Sequence, residues 1–254
     1  MLKVCITGGA GSLGRAFVKY LVEDHELVIV DSNEWAVAEL QQQYPDMTIH
    51  LMDFADYDFH DAPDILIHLA AYKHVNLGET NVASFVTNNV TKTQELFRKA
   101  KEMATEILFV STDKAVEPIS LYGFTKAIGE RLATHFHGSV ARLGNIMASS
   151  GSVIPTWEAA IAERRPLVVT DPNMTRYMIS AEDAVDQIWR QFNQGKKLII
   201  PEMGDPKPLM SIVQDILRKH NYPSVEAYEP GIHVIGRRPG EKLHEQLNWT
   251  GERS

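Results

Sequence analysis

Short apolar runs alternating with helical patterns predict an α/β chain built on a doubly wound parallel sheet. Three observations lead there. A first apolar run, LKVCIT from Leu2, passes directly into a glycine-rich turn and a helical pattern. A second run ends in an acid, Asp31, about twenty residues beyond the central glycine of that turn. Further short runs then recur with helical patterns between them, the rhythm of βαβ units.

With 254 residues, 44% of them hydrophobic, the chain can bury a sizeable core as one large domain or as a domain with a small appendage. A formal charge of -8 and the lack of any Lys/Arg run speak against a nucleic-acid footprint. The single cysteine, Cys5, lies in the first apolar run. It offers no disulfide framework and reads as core filler in a reducing compartment. No signal pattern precedes the first run and no run approaches a membrane span, so a cytoplasmic location is expected. The histidines form no ligand-spaced grouping, and no metal site is expected.

In the turn TGGAGSLG, Gly8, Gly11 and Gly14 recur at three-residue spacing, and a helical pattern begins at Leu13. Strand, glycine turn and helix N-terminus together present backbone N–H groups to a pyrophosphate, the Rossmann-type arrangement, although an ordinary βα turn would look similar. Asp31 stands where an acid accepts hydrogen bonds from an adenosine ribose and repels a 2′-phosphate. Ser32 and Asn33 add no positive charge, so NAD is expected over NADP. The same Asp31 could instead cap the following helix, over residues 34–44.

A third strand is expected through MTIHLMDFAD, ending at Asp53 and Phe54. Asp53 could meet an adenine amine or serve as a solvated turn residue. DILIHL, residues 64–69, is the fourth strand. Beyond it, the small Ala70 and Ala71 would let backbone approach a flat cofactor. Lys73 and His74 follow on the ligand side of an open α/β sheet, where His74 reads more simply as a solvated loop residue. A long helix is expected from Thr80 to Met103. Its Asn88 and Asn89 are poor helix formers, so one could reach into a site or both could be solvated.

TEILFVS, the fifth strand, feeds the stretch FVSTDKAVEPISLYGFTK, which holds Asp113, Lys114, Tyr122 and Lys126. Tyr122 and Lys126 are four residues apart at the start of a helix over 121–137, so phenol and ammonium can share one ligand. A nearby ammonium lowers a tyrosine pKa toward that of a general base. Taken alone, the spacing could equally be a surface pair. GSVARLGNI is a sixth strand, followed by a small-residue loop and an irregular segment to Thr175 punctuated by prolines. AEDAVDQIWRQF is a helix, KKLIIP a seventh strand, and residues 209–220 a last helix. Arg237, Arg238 and Lys242 form a positive cluster, either a diphosphate clamp or an exposed basic turn. The expected division is a dinucleotide-binding core over 1–150. A mixed region over 151–254 completes the sheet (about 181–201) and forms a small substrate-binding cap.

TGGAGSLG, Asp31, HLAAYKHV, STDKA, YGFTK, RLGN, GSVIP, MTRYMIS and RRPGEKLHE occur in one order. That order resembles the extended short-chain dehydrogenase/reductase superfamily. Within it the chain is most similar to the inverting UDP-N-acetylglucosamine 4,6-dehydratases of surface-polysaccharide and flagellin-sugar pathways, over nearly its whole length. GxxGxxG and YxxxK mark only the superfamily. STDKA with LYGxTK, GSVIP, MTR and RPGEKLHE mark the subgroup, and Tyr122, where retaining relatives carry Met, marks the inverting type.

The resemblance implies a lyase with tightly held NAD and a UDP-sugar substrate. It makes Tyr122, helped by Lys126, the acceptor of the sugar O4 proton, with Thr112 hydrogen-bonding nearby. Lys114 becomes the C5 base and Asp113 the acid that protonates the departing C6 hydroxyl. As a base Lys114 must be neutral, so a pKa lowered by burial or by Lys73 or Lys126 is expected. The resemblance also carries Ala10, Gly11, Ser12 and Leu13 to the pyrophosphate, and Asp53, Phe54 and Leu69 to the adenine side. Lys73, Asn89 and Ile146 join the cofactor set, with residues 146–150 near the nicotinamide. Lys73, Asn145, Ser152, Val153, Arg176, Arg238 and Glu241 form the substrate set.

Three departures stand out. Relatives with Ser-Arg after the second strand use NADP, unlike Asp31-Ser32-Asn33 here. The loop before Gly151 lacks their Arg, and the chain ends soon after RPGEKLHE, which predicts a smaller cap. Helices over 80–103 and 121–137 imply a four-helix interface and hence a homodimer or a multiple of it. A nucleotide-sugar 4-epimerase would need Tyr122 and Lys126 but not Asp113-Lys114. A non-catalytic NAD-sensing protein would need no turnover at all.

Overall fold

The computed structural model describes residues 1–147, 149 and 152–249. The chain opens with β1 (Lys3–Thr7), α1 (Ser12–Leu21), β2 (Glu26–Asp31), α2 (Glu34–Gln43) and β3 (Thr48–Leu51). Next come β4 (Ile65–His68), α3 (Val75–Thr80), α4 (Val82–Val86), a π-helical turn (Thr87–Thr91) and α5 (Lys92–Glu102). β5 (Glu106–Thr112), α6 (Leu121–His135) and β6 (Ser139–Leu143) follow, then β7 (Asn145–Ile146), α7 (Val153–Ala162) and β8 (Leu167–Val169). The remainder is β9 (Thr175–Arg176), β10 (Met178–Ile179), α8 (Ala181–Asn193), β11 (Leu198–Ile199), β12 (Lys207–Pro208), α9 (Leu209–Lys219) and β13 (Ile232–Val234).

Among the described residues, a parallel seven-stranded sheet runs in the order β11-β6-β5-β4-β1-β2-β3. The order reverses between β1 and β4, which opens a crevice at their C-terminal ends. Helices cover both faces, so the central strands are buried throughout and read as continuous apolar runs. On one face Phe17, Val18 and Leu21 of α1 pack with Val185, Ile188 and Trp189 of α8. On the other, Leu96, Phe97 and Ala100 of α5 pack with Phe109 and Ala133. A separate cluster joins Trp157, Leu167, Val169, Val213, Ile216 and Tyr228 beneath α7 and α9.

Four expected elements differ. The helix expected over 80–103 is broken at Asn81, whose side chain bonds back to the Leu77 carbonyl, and by the π-helical turn that contains Asn88 and Asn89. The third strand ends at Leu51, because Asp53 accepts the Ala55 N–H and caps a 3-10 turn over Phe54–Asp56. The sixth strand stops at Leu143, and β7 pairs with β10 instead. The hinge is Gly144, where a Cβ would lie 2.6 Å from the Tyr177 Cβ. The segment before Thr175 is not irregular: it forms α7, with Pro155 tolerated in its first turn, and β8, which pairs with β13.

Candidate active site

The crevice at the C-terminal edge of the sheet is a cleft of about 590 Å³. Its floor is the turn between β1 and α1. Gly8 has φ +71, and a Cβ there would lie 2.8 Å from the Ala70 nitrogen, so the turn touches the loop after β4. A Cβ on Gly14 would meet the Gly8 carbonyl oxygen at 2.5 Å. Gly11 caps α1 without any side-chain hydrogen bond, and Gly11, Ser12, Leu13 and Gly14 all line the cleft. The first N–H groups of a helix have no intrahelical partner, so this cradle fits a diphosphate.

Asp31 and Ser32 line the same cleft. Asp31 accepts the Ala10 N–H at 3.0 Å and the Asn33 N–H at 2.9 Å, which ties it to the glycine turn. Ala10 is therefore buried behind Asp31 rather than in the cleft. Asn33, not Asp31, caps α2, through the Ala36 N–H at 3.1 Å, and it faces solvent. Asn33 is not among the residues that line the cleft.

Asp53, Phe54, Leu69, Ala70, Ala71 and Lys73 line the far side, with His74 beside them. Asp53 is half-buried and paired: Lys92 bonds one carboxylate oxygen and the Ala55 N–H the other. Burial opposes its charge, yet these partners hold its pKa below the usual carboxylate value. Burial pushes the Lys73 pKa down. Asn89 does not reach the cleft. Its amide brackets the Tyr72 backbone, accepting the N–H and donating to the carbonyl, each at 2.9 Å, and also donates to Thr125 at 3.1 Å. It clamps the loop after β4 to α6, while its neighbour Asn88 lines the cleft. The sequence singled out the pair, but only the π-helical turn decides which amide faces which way.

Thr112, Lys114, Tyr122 and Lys126 converge on the cleft from β5, the turn after it, and α6. Thr112 donates to Asp113 Oδ1 at 3.0 Å. Asp113 is fully buried and stands behind the cleft wall, with Oδ2 lacking a hydrogen bond among the described residues. Lys114 Nζ lies 2.9 Å from Asp113 Oδ1, 3.2 Å from Asn145 Oδ1 and 3.7 Å from Glu245 Oε1. Burial works against its charge, but Asp113 and Glu245 outweigh burial and the repulsion of Arg176, and the pKa is raised. The expected lowering is absent because two carboxylates, not Lys73 or Lys126, face the amine.

Burial pushes the Tyr122 phenol up to about 12, against the pull of Lys114 and of a bond to Thr112. Lys114 is the cation that acts most on it. Lys126 Nζ donates to the Val110 carbonyl at 2.6 Å and lies 4.0 Å over the Phe109 ring, and burial brings its pKa to about 7. The tyrosine and lysine share a face as expected, but the cation that lowers the phenol is Lys114.

Asn145, Ile146, Ser149 and Ser152 close the remaining side. The Ser111 and Ser152 hydroxyls are buried at the cleft and make no hydrogen bond among the described residues. Ala148, Ser150 and Gly151 lie outside the described residues. Val153 begins α7 away from the cleft and is exposed.

The expected diphosphate residues are dispersed. Arg176 is buried, and its guanidinium donates to the carbonyls of Thr175 at 2.7 Å and of Leu243 and Lys242 at 3.1 Å each. Arg238 is exposed, and its backbone N–H meets the Glu241 carboxylate at 3.0 Å to close a turn off the cleft. Arg237 lies 3.7 Å from Asp171, whereas Lys242 turns inward to the Val116 carbonyl at 2.5 Å. Glu245 went unnoticed in the sequence. It is the final acid of RPGEKLHE, three residues beyond Lys242. Among the described residues no acid, histidine or cysteine cluster could hold a metal, and no helix is long and apolar enough to cross a membrane.

A profile of polysaccharide biosynthesis proteins matches residues 4–254. Similar relatives include an uncharacterized membrane protein of Methanocaldococcus jannaschii, 34% identical over 96% of this chain and 79% of its own. An inverting UDP-N-acetylglucosamine 4,6-dehydratase of Campylobacter jejuni is 32% identical, covering 95% of this chain and 76% of its own. A UDP-glucose 4-epimerase of Rickettsia rickettsii is 31% identical over the same shares, 95% and 76%. The fold matches that of a dTDP-glucose 4,6-dehydratase from Streptomyces venezuelae solved with NAD, with TM-score 0.86 and 20% identity over 97% of this chain and 88% of that one.

Proposed function

The chain belongs to the polysaccharide biosynthesis protein family, among the nucleotide-sugar dehydratases and epimerases of the extended short-chain dehydrogenase/reductase superfamily, and from that premise we propose that it is a 4,6-dehydratase acting on UDP-N-acetylglucosamine with inversion at C5. The observation that carries this is Lys114. An amine on the cleft wall, bonded at 2.9 Å to a buried acid, is a second acid/base pair that C4 chemistry alone does not require.

A nicotinamide dinucleotide, when bound, supplies the hydride acceptor and donor. Tyr122 takes the O4 proton of the sugar, with Lys114 easing ionisation of a phenol that burial has pushed up to about 12. Lys126, brought to about 7, can gain or lose a proton near neutrality at little cost. The C4 ketone acidifies C5, and Lys114, once it has passed its own proton to Asp113 across their 2.9 Å bond, removes the C5 proton as the free amine. Asp113 supplies the proton for the C6 hydroxyl that leaves as water. Because Asp113 stands behind the cleft wall, its proton travels through the groups it bonds, the Thr112 hydroxyl or Lys114.

Asp31 supports NAD over NADP, since a fixed carboxylate opposes a 2′-phosphate. Residues 1–150 hold the dinucleotide, and 151–254 complete the sheet and cover the sugar. A homodimer forms through α4 and α6, where Val82, Val86, Phe124 and Ile128 are exposed.

The test is mass spectrometry of the protein incubated with UDP-N-acetylglucosamine in deuterated water. Loss of one water with deuterium at C5 is the expected result, and an unchanged substrate would refute this choice of sugar. One observation favours the 4-epimerase: two carboxylates keep Lys114 charged in the free protein, and a charged amine is no base. An isomer of unchanged mass would establish that reaction instead.

A further inference from the structure

Glu245 is buried, 5% exposed, on the segment that follows β13. Its carboxylate lies 3.7 Å from Lys114 Nζ and 3.5 Å from Lys242 Nζ, and its Oε2 accepts no hydrogen bond among the described residues. A carboxylate is costly to bury unless it is paired, so its two lysines account for its being there.

The segment that carries Glu245 is fixed without help from its side chain. The Thr175 N–H donates to the Leu243 carbonyl at 3.1 Å, and the Arg176 guanidinium holds the Leu243 and Lys242 carbonyls. Arg142, itself paired with Glu130, donates to the Leu247 carbonyl at 2.7 Å. Lys242 Nζ ends on the Val116 carbonyl, two residues beyond Lys114. Backbone bonds thus anchor the segment on both sides of residue 245 and aim its carboxylate at Lys114.

We propose that Glu245 is a positioning residue, which holds the Lys114 side chain at the cleft, with Lys242 setting how much of the carboxylate Lys114 receives. This rests on Lys114 being the base of the proposed reaction. The charged and titratable groups around Lys114 come from four places: Asp113 on its own turn, Glu245 and Lys242 on the C-terminal segment, Arg176 on β9, and the Tyr122 phenol on α6. Asn145 on β7 adds a neutral acceptor. Removing Glu245 leaves Asp113 as the single carboxylate against Arg176. Removing Lys242 leaves Glu245 to Lys114 alone.

Two variants therefore shift Lys114 in opposite directions. Lysines of the full-length protein are reductively methylated with 13C-formaldehyde and titrated by NMR, with the Lys114 resonance assigned by its loss in Lys114→Arg. Glu245→Gln should move the Lys114 midpoint to lower pH by about one pH unit, the effect of losing one neighbouring opposite charge. Lys242→Met should move it to higher pH. A midpoint unchanged in Glu245→Gln, or lowered in Lys242→Met, overturns the proposal. Should Glu245→Gln fail to fold, the direction in Lys242→Met decides. The titration needs no sugar nucleotide. Failure of wild-type protein to dehydrate UDP-N-acetylglucosamine would refute the reaction while leaving the Glu245–Lys114 pairing to stand or fall on its own shifts.

Discussion

Gly123→Ala should disable the site while adding a single methyl group. Gly123 sits within α6, next to Tyr122, and a Cβ built there lies 2.3 Å from the backbone carbonyl oxygen of Lys114 and 3.1 Å from Ser120 Oγ. Cβ contacts below 3.0 Å are essentially never seen, and the nearer atom is backbone, which cannot swing aside. The start of α6 must therefore retreat from the turn that carries Asp113 and Lys114 by about 1 Å, a displacement that at an active site costs roughly 100-fold in rate. Helix propensity pulls the other way, since alanine in place of glycine favours a helix by about 1 kcal/mol. Overpacking costs roughly 1–3 kcal/mol, so the clash wins and the variant is destabilised as well. The assay is kcat for dehydration alongside thermal unfolding by circular dichroism. Gly195→Ala is the control: its φ is +79 with nothing within 4 Å of a Cβ, so it strains the backbone far from the cleft and should leave kcat alone. A folded Gly123→Ala protein with wild-type kcat would refute the claim that the contact between α6 and the turn sets the geometry of Tyr122 and Lys114.

Other expectations test separate parts of the site. Lys114→Ala should abolish C5 deuterium exchange yet leave cofactor reduction detectable, whereas Tyr122→Phe should stop both; exchange at the wild-type rate in Lys114→Ala would remove Lys114 as the base. Calorimetry should find NAD bound at least about tenfold more tightly than NADP, a difference of about 1.4 kcal/mol, and tighter NADP would overturn the role given to Asp31. His68 is fully buried between Thr7 Oγ1 at 2.6 Å and Thr93 Oγ1 at 3.1 Å, and burial holds its pKa well below the usual 6.5. The unfolded chain then binds a proton first, so this contribution to stability is complete above pH about 6.5 and is lost as the pH falls below it. Melting curves between neutral and mildly acidic pH should show a steeper loss for wild type than for His68→Asn, and equal slopes would contradict this. Phe124→Glu should convert a dimer to monomer in light scattering, and an unchanged mass would exclude the α4/α6 face as the interface.

The local features of this protein were legible in its sequence. β1 and β2 follow from apolar runs because both faces of a central parallel strand are buried. The glycine turn follows from the close approach of Gly14 to the Gly8 carbonyl, and the shared face of Tyr122 and Lys126 from the pitch of a helix. Each is set by residues within a turn or two of chain.

What the tertiary structure alone decided concerns partners far apart in sequence. Lys114 owes its charge to Glu245 as well as to its neighbour Asp113, and Lys126 owes its depressed pKa to burial over Phe109. Asn89 became a clamp because a π-helical turn rotated it onto Tyr72, and Arg176 became a brace because Leu243 lies against β9. Periodicity encodes which face of an element is buried. It does not encode which charge will stand opposite, and desolvation and Coulomb energy depend on distance through space rather than along the chain.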